Sequence, residues 1–360
     1  MTVSPPHPAQ RRYPSLDLLR LVAITLTILV HTPRLASRVP GLGALQGGFW
    51  LGVDLFMLIS GWLLGAQLLR GAAQGAIDPL RFYVKRWMRT LPPYLVMLGV
   101  LQLLGASMRW GTLLAHATFL QMYLGNNQYL VSWSLCVEEH FYLLLPLLVL
   151  GLTRRPRLGT LVALVAFVEA VAVVSRAVTF TPQESVPCLT HMRWHGLFIG
   201  MAFAWIHQHR PALWKSLGRW ATGLAVIGVV TTILVMISIP DGPSRWRYIG
   251  APTVGTWTLA LAFLACVHEA SPLSRISFPG LQYLGELTYA VYLTHDIWPR
   301  SVVDAHGAPG SLLGFAWRLG LVLGSAVVLH HLVEWPALRL RERLLDRWRA
   351  APAVPLPERT

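Results

Sequence analysis

The chain has 360 residues, of which 54% are hydrophobic and only 13% charged, with a formal net charge of +14 and a mean hydropathy of +0.51. A soluble domain carries about 25% charged residues, so this composition excludes an ordinary soluble globule and points to a polytopic membrane protein. The excess of arginine does not read as a nucleic-acid surface, because the basic residues lie between apolar runs rather than along one aromatic-interleaved patch. Cys136, Cys188 and Cys266 show no paired spacing, which speaks against a disulfide framework or a zinc site.

Apolar runs predict an all-α bundle of about ten transmembrane helices. They cover Ser15 to Arg34, Gly47 to Leu69, Pro92 to Ala106, Leu130 to Leu152, Leu158 to Val178, Trp194 to His207, Trp220 to Ile239, Ile249 to His268, Leu281 to Val303 and Ser311 to Trp335. Thr112 to Leu124 is too short to span and is expected to lie in the interface. Arginine and lysine concentrate in alternate connecting segments (Arg11 and Arg12; Arg70 to Arg89; Arg154 to Arg157; Arg210 to Arg219; Arg275; Arg339 onward). The positive-inside rule then places both termini in the cytoplasm, and the expected location is the inner (cytoplasmic) membrane. Residues 1–14 are expected to form a cytoplasmic tail, 15–340 the transmembrane domain and 341–360 a basic, proline-containing cytoplasmic tail. The first run is read as a retained span rather than a cleaved leader, since no convincing small-residue cleavage site follows it.

Ionisable residues inside apolar runs are the candidate functional groups, because a membrane helix carries them at a cost. In the first run Arg20 and His31 are eleven residues apart, on nearly one helix face and ~16 Å apart. The second run has one acid, Asp54, and a Gly61/Gly65 pair that invites close approach of another helix. FYVKRWMRTLPPYL places Lys85, Arg86 and Arg89 just before the third span, suiting a phosphate clamp as well as simple topology. The fourth run, WSLCVEEHFY, holds Trp133, Ser134 and adjacent Glu138 and Glu139, which face about 100° apart on a helix, so at most one addresses a given partner. The ninth run strings Tyr289, Tyr292 and His295 along one stripe, and Glu334 and Pro336 are expected to close the tenth.

In this order the stretches resemble the acyltransferase-3 family of integral membrane acyltransferases. The matching pieces are Arg20-x10-His31, GVDLFMLISG, the Arg86-x-x-Arg89 stretch, WSLCVEEHFY, LTYAVYLTH and Glu334-x-Pro336. The resemblance runs from Leu16 to Leu340, with no extra SGNH-type hydrolase-like domain expected, and the segment Thr179 to Arg193 matches nothing that names a substrate. It implies transfer of an acyl group, most often acetyl, from cytoplasmic acetyl-CoA (acyl-CoA) to a hydroxyl of a cell-envelope glycan or a glycosylated small molecule. On general-base chemistry, His31 is the candidate base, oriented by Glu138, Glu139 or Asp54. Arg20, Arg86 and Arg89 are expected to hold the CoA donor, and Ser134, Trp133, Tyr292 and His295 to line the acceptor or cavity side. No metal is called for. The rival reading is a proton-coupled secondary transporter relaying protons through His31, Glu138 and Glu139; its signature of internal repeats is missing from the sequence.

Overall fold

The computed structural model describes residues 13–32, 39–75, 77–125, 127–154, 156–181, 188–240, 242–298, 302 and 311–350. Arg11, Arg12, Arg34, Arg38, Arg155 and the terminal segment from 351 onward lie outside the described residues. Among the described residues there is no strand. The helices of eight residues or more are α1 (Pro14–Val30), α2 (Leu51–Ala73), α3 (Pro79–Leu101), α4 (Trp110–Ala117), α5 (Trp133–Arg154), α6 (Leu158–Thr179), α7 (His195–His209), α8 (Pro211–Ser238), α9 (Ala251–Val267), α10 (Leu281–Thr294), α11 (Leu312–Leu329) and α12 (Trp335–Ala350). Each of the ten predicted runs overlaps at least one of these helices, and α4 overlaps the short Thr112 to Leu124 segment.

Among the described residues, six helical stretches are long and apolar enough to cross a membrane: Leu51–Ala73, Leu130–Arg154, Leu158–Thr179, Pro211–Ser238, Trp246–Val267 and Leu312–Trp348. The helices that fall short, α1, α3, α7 and α10, are shorter or more polar. They include the elements that carry the candidate polar residues. By contrast α6 and α8 show rows of exposed Val, Ile, Leu and Phe side chains, among them Phe167, Val178, Val226 and Leu234. Such apolar surface suits lipid rather than water.

The tightest packing is between α2 and α7. A Cβ on Gly61 would run into the backbone of Leu197, and one on Gly200 into the backbone of Leu58 and Trp62. The Gly61/Gly65 pair therefore has its partner: Gly65 packs on Met201, and Gly200 returns the contact from the other helix. Close backbone approach of this kind drives helix association where lipid removes the hydrophobic driving force. Helix α1 packs on both α2 and α10. Asp17 meets Gly285 at one end of the α1–α10 pair, and His31 meets His295 at the other.

Two of the boundaries that differ from the sequence reading have a clear local reason. The third helix starts at Pro79 rather than Pro92, so Lys85, Arg86 and Arg89 lie within it. Its start is set by Asp78, whose carboxylate accepts the Arg81 N–H at 2.9 Å, with Pro79 at the first helical position, a strong initiation signal. At the other end of the chain, Glu334 and Pro336 do not close the tenth helix. A π-helical turn over His330–Glu334 joins α11 to α12, and a 2.9 Å contact between His330 Nδ1 and Glu334 braces it. A wider turn accommodates the missing N–H and the ring of a following proline without ending the helix. Residues 341–350, expected in a tail, are the second half of α12.

The glycine contact is open to direct test. Gly200→Val should lower the thermal midpoint of the purified protein in detergent, since overpacking of this kind costs about 1–3 kcal/mol. Gly223→Val, at a helical position whose Cβ would meet nothing, should leave the midpoint unchanged; equal loss in both would remove the close-packing account.

Candidate active site

One cavity of about 560 Å³ opens into the bundle and collects most of the polar residues singled out from sequence. Arg20 reaches it from α1, Ser60 and Arg70 from α2, Lys85, Arg86 and Arg89 from α3, Ser134 and Glu138 from α5, and Tyr289 and Tyr292 from α10. Its lining includes six cationic side chains, Arg341 of α12 being the sixth, against two carboxylates, Glu138 and Glu342. So many like charges in a partly apolar enclosure repel one another. An arrangement of this kind suits a polyanionic occupant.

The two glutamates separate as their helical offset requires. Glu138 faces the cavity and accepts from Ser60 Oγ at 3.1 Å and Tyr142 OH at 2.7 Å. Arg86 stacks over the Tyr142 ring, 4.7 Å from its centroid, and donates to its hydroxyl at 3.2 Å. The Arg86 Nε is buried without a hydrogen-bond partner among the described residues. Glu139 points elsewhere and accepts from Thr90 Oγ1 at 3.0 Å and Trp87 Nε1 at 3.2 Å. Arg20 donates to Asp17 at 2.6 Å, which steers its guanidinium along the same wall.

The cavity's lining includes Phe56, Ser134 and Tyr292, but neither His31 nor His295. The Tyr292 hydroxyl lies 2.6 Å from Ser134 Oγ and donates to the Val131 carbonyl at 2.8 Å, while Phe56 packs edge-on against the Tyr292 ring. These three side chains form a partition. Beyond it the His295 ring centroid is 5.5 Å from that of Tyr292, and His31 meets His295 edge-on with centroids 4.7 Å apart. His295 is buried, its Nδ1 held 2.6 Å from the Tyr292 carbonyl and its Nε2 without a partner.

His31 caps α1 with about a quarter of its side chain exposed, and its Nδ1 stands 3.5 Å from Asp296 Oδ2. Arg318 fixes that acid, donating to Asp296 Oδ1 at 3.2 Å, to the His31 carbonyl at 2.7 Å and to the His295 carbonyl at 3.3 Å. The carboxylate beside His31 is therefore Asp296, and not Glu138, Glu139 or Asp54 as the sequence suggested. Asp296 follows His295 directly, and its adjacency to a candidate histidine was the available signal. Arg318 sits in the tenth apolar run, where an isolated arginine is itself a flag.

Asp54 has a different partner. Its carboxylate accepts from Arg193 Nη2 at 2.8 Å, and both side chains are fully buried. The Arg193 guanidinium lies between Trp50 and Trp133, 4.8 and 5.2 Å from their ring centroids. Trp133 thus stacks on an arginine instead of lining the cavity. Arg193 belongs to the segment that carried no sequence signal. A buried pair stacked between aromatic rings recovers part of the desolvation it costs.

Comparison with known proteins bears on this geometry. The family model for the acyltransferase domain Acyl_transf_3 matches residues 13–331. The chain belongs to this family. Among curated proteins it is similar to the O-acetyltransferase OatA of Staphylococcus aureus strain NCTC 8325 / PS 47, 25% identical over 365 residues, covering 91% of this chain and 57% of the relative. OatA of strain COL matches to the same extent. A second S. aureus protein, SAR0937 of strain MRSA252, is 24% identical over 374 residues, covering 95% of this chain and 59% of the relative. The chain thus spans less than two thirds of the length of these relatives. No solved structure matches it.

The Asp54–Arg193 pair gives a test independent of activity. Arg193→Met leaves a buried carboxylate uncompensated, and a loss of about 3–5 kcal/mol is expected, read as a lower thermal midpoint or loss of monodisperse protein. Asp54→Leu combined with Arg193→Met should recover most of it. A double variant as unstable as the single one would mean that the pair does more than neutralise charge.

Proposed function

We propose that this chain is an O-acetyltransferase of the inner membrane, moving an acetyl group from acetyl-CoA to a hydroxyl of a cell-envelope glycan. The observation that carries the reading is the basic cavity ending at the Tyr292–Ser134 partition, with the His31–Asp296 pair immediately behind it. Family membership and the O-acetyltransferase relatives support the same reaction class.

In this reading the donor's phosphates rest among Arg86, Arg89, Arg20 and their neighbours, where guanidinium forks match phosphate oxygens. The slender thioester arm passes toward Ser134 and Tyr292. The acceptor arrives from the opposite end, where His31 is partly exposed. With Nδ1 turned to Asp296, Nε2 of His31 takes the proton from the attacking hydroxyl. The oxygen forms an ester to the acyl carbon, the carbon–sulfur bond breaks, and the thiolate leaves and is protonated as free CoA. Asp296 stabilises the imidazolium as it forms, and Arg318 holds Asp296 in place. His295, packed edge-on, keeps the His31 ring from rotating away. Glu138 and Glu139 shape the donor side, Glu138 by aligning Tyr142 and through it Arg86.

Purified protein in proteoliposomes with radiolabelled acetyl-CoA and a glycan acceptor tests this. His31→Ala should abolish both CoA release and glycan labelling with insertion unchanged. Asp296→Asn should lower kcat by about 10²-fold or more, the scale of an acid–base contribution, with little change in donor KM. Arg86→Ala should do the reverse, raising donor KM. Full turnover in His31→Ala would overturn the assignment of the base; proton-driven solute uptake without acyl transfer would overturn the reading altogether.

A further inference from the structure

The family match ends at residue 331, yet α12, which lies wholly beyond it, reaches back to the cavity. Arg341 lines the cavity together with Arg70, Lys85, Arg86 and Arg89. It is anchored on α3, where its Nη1 donates to the Lys85 carbonyl at 3.4 Å. Lys85 is one helical turn before Arg89 on α3. The guanidinium is already holding an anion: Nε and Nη2 both donate to one oxygen of Glu342, at 2.9 and 2.6 Å. The Glu342 side chain is 59% exposed, so this pair is held weakly and exchanges easily.

We propose that α12 is part of the donor site: Arg341 takes a phosphate of the donor, and Glu342 occupies its fork until that phosphate displaces it. This rests on the acyl-CoA reading above. The Nε–H and Nη2–H that now share one Glu342 oxygen are the fork that can grip two oxygens of a phosphate in parallel. The surplus of cations in the cavity favours the more highly charged ligand over the single carboxylate. When the donor leaves, Glu342 returns and covers a charge that otherwise faces Lys85, Arg86 and Arg89. The chemistry recognised is a phosphate ester, and a lipid headgroup at the same place carries one too. The substitutions therefore have to be read in bilayers with and without anionic lipid.

The experiment uses the full chain in nanodiscs of phosphatidylcholine, measuring CoA binding directly and acetyl transfer in parallel. Arg341→Ala should weaken CoA binding and raise acetyl-CoA KM about tenfold, the scale of one charge-assisted contact, with kcat within twofold. Arg341→Lys should fall between. Glu342→Gln should act in the opposite sense, tightening CoA binding by about two- to fivefold as the competing ion pair is removed. Arg343→Ala, which removes a charge from the same helix outside the cavity, should change neither. Thermal midpoints within a few degrees of wild type establish that each variant is folded. Unchanged CoA binding in both Arg341→Ala and Glu342→Gln would overturn the proposal while leaving the acyl-CoA reading intact. An effect seen only when phosphatidylglycerol is added would also overturn it, assigning Arg341 to lipid headgroups. Wild-type protein that neither binds CoA nor transfers acetyl would fail the underlying reading instead.

Discussion

The backbone contact between α2 and α7 at Gly61 and Gly200 is the constraint on which the polar architecture depends. Helix α2 carries Asp54, Phe56, Ser60 and Arg70, and these four side chains serve three different places: the buried ion pair, the partition, and the cavity. Their positions are set by how deeply α2 sits against α7, and that depth is possible only where no Cβ intervenes. A displacement of one helix by the width of a methyl group would be felt simultaneously at Arg193, at Tyr292 and at Glu138.

Charge inside the bundle is handled in distinct ways, and the distinction separates structure from chemistry. Asp54 is answered by a single cation enclosed by two indoles. Glu139 is answered by neutral donors from one neighbouring helix. The arginines of the cavity are answered incompletely, with few acids among them and a buried Nε left over on Arg86. An enclosure with six cations and two carboxylates carries a net positive charge that favours an anionic occupant. Asp54, an obvious acid in an apolar run, is a poor candidate for catalysis for another reason: it lies outside the cavity lining and its Oδ2 is paired with a fully buried arginine.

Much of this was legible in the sequence, and what was missed has physical reasons. The helices were visible because lipid-length apolar runs are a strong signal, and the Gly61/Gly65 spacing announced a close contact, though not with which helix. Arg20, Arg86 and Arg89 were read as one group and do line one cavity. The start of α3 was misplaced because its basic residues depress hydropathy, while the Asp78–Pro79 cap that begins it is a two-residue signal. The continuation through Pro336 depends on a π turn, which leaves no periodicity to detect. Arg193 was hidden in a short helix of four residues, Thr190–Arg193, too brief for any pattern. Asp296 directly follows His295 just past the end of α10, away from the helix interior in which an acid is costly. An acid at a helix end is inexpensive in isolation and becomes informative only once the fold brings His31 to it.

The partition of Phe56, Ser134 and Tyr292 has a consequence beyond chemistry. A water-accessible, cation-lined cavity penetrating the bundle thins the insulating layer to the width of a few side chains at that point. Where water fills such a cavity from one side of a membrane, a transmembrane voltage concentrates across the side chains that close it, since potential drops where the conducting path ends. The hydrogen bonds that tie Tyr292 to Ser134 and to the Val131 carbonyl therefore double as a dielectric seal. A bundle built this way can be no leakier to ions than that seal allows.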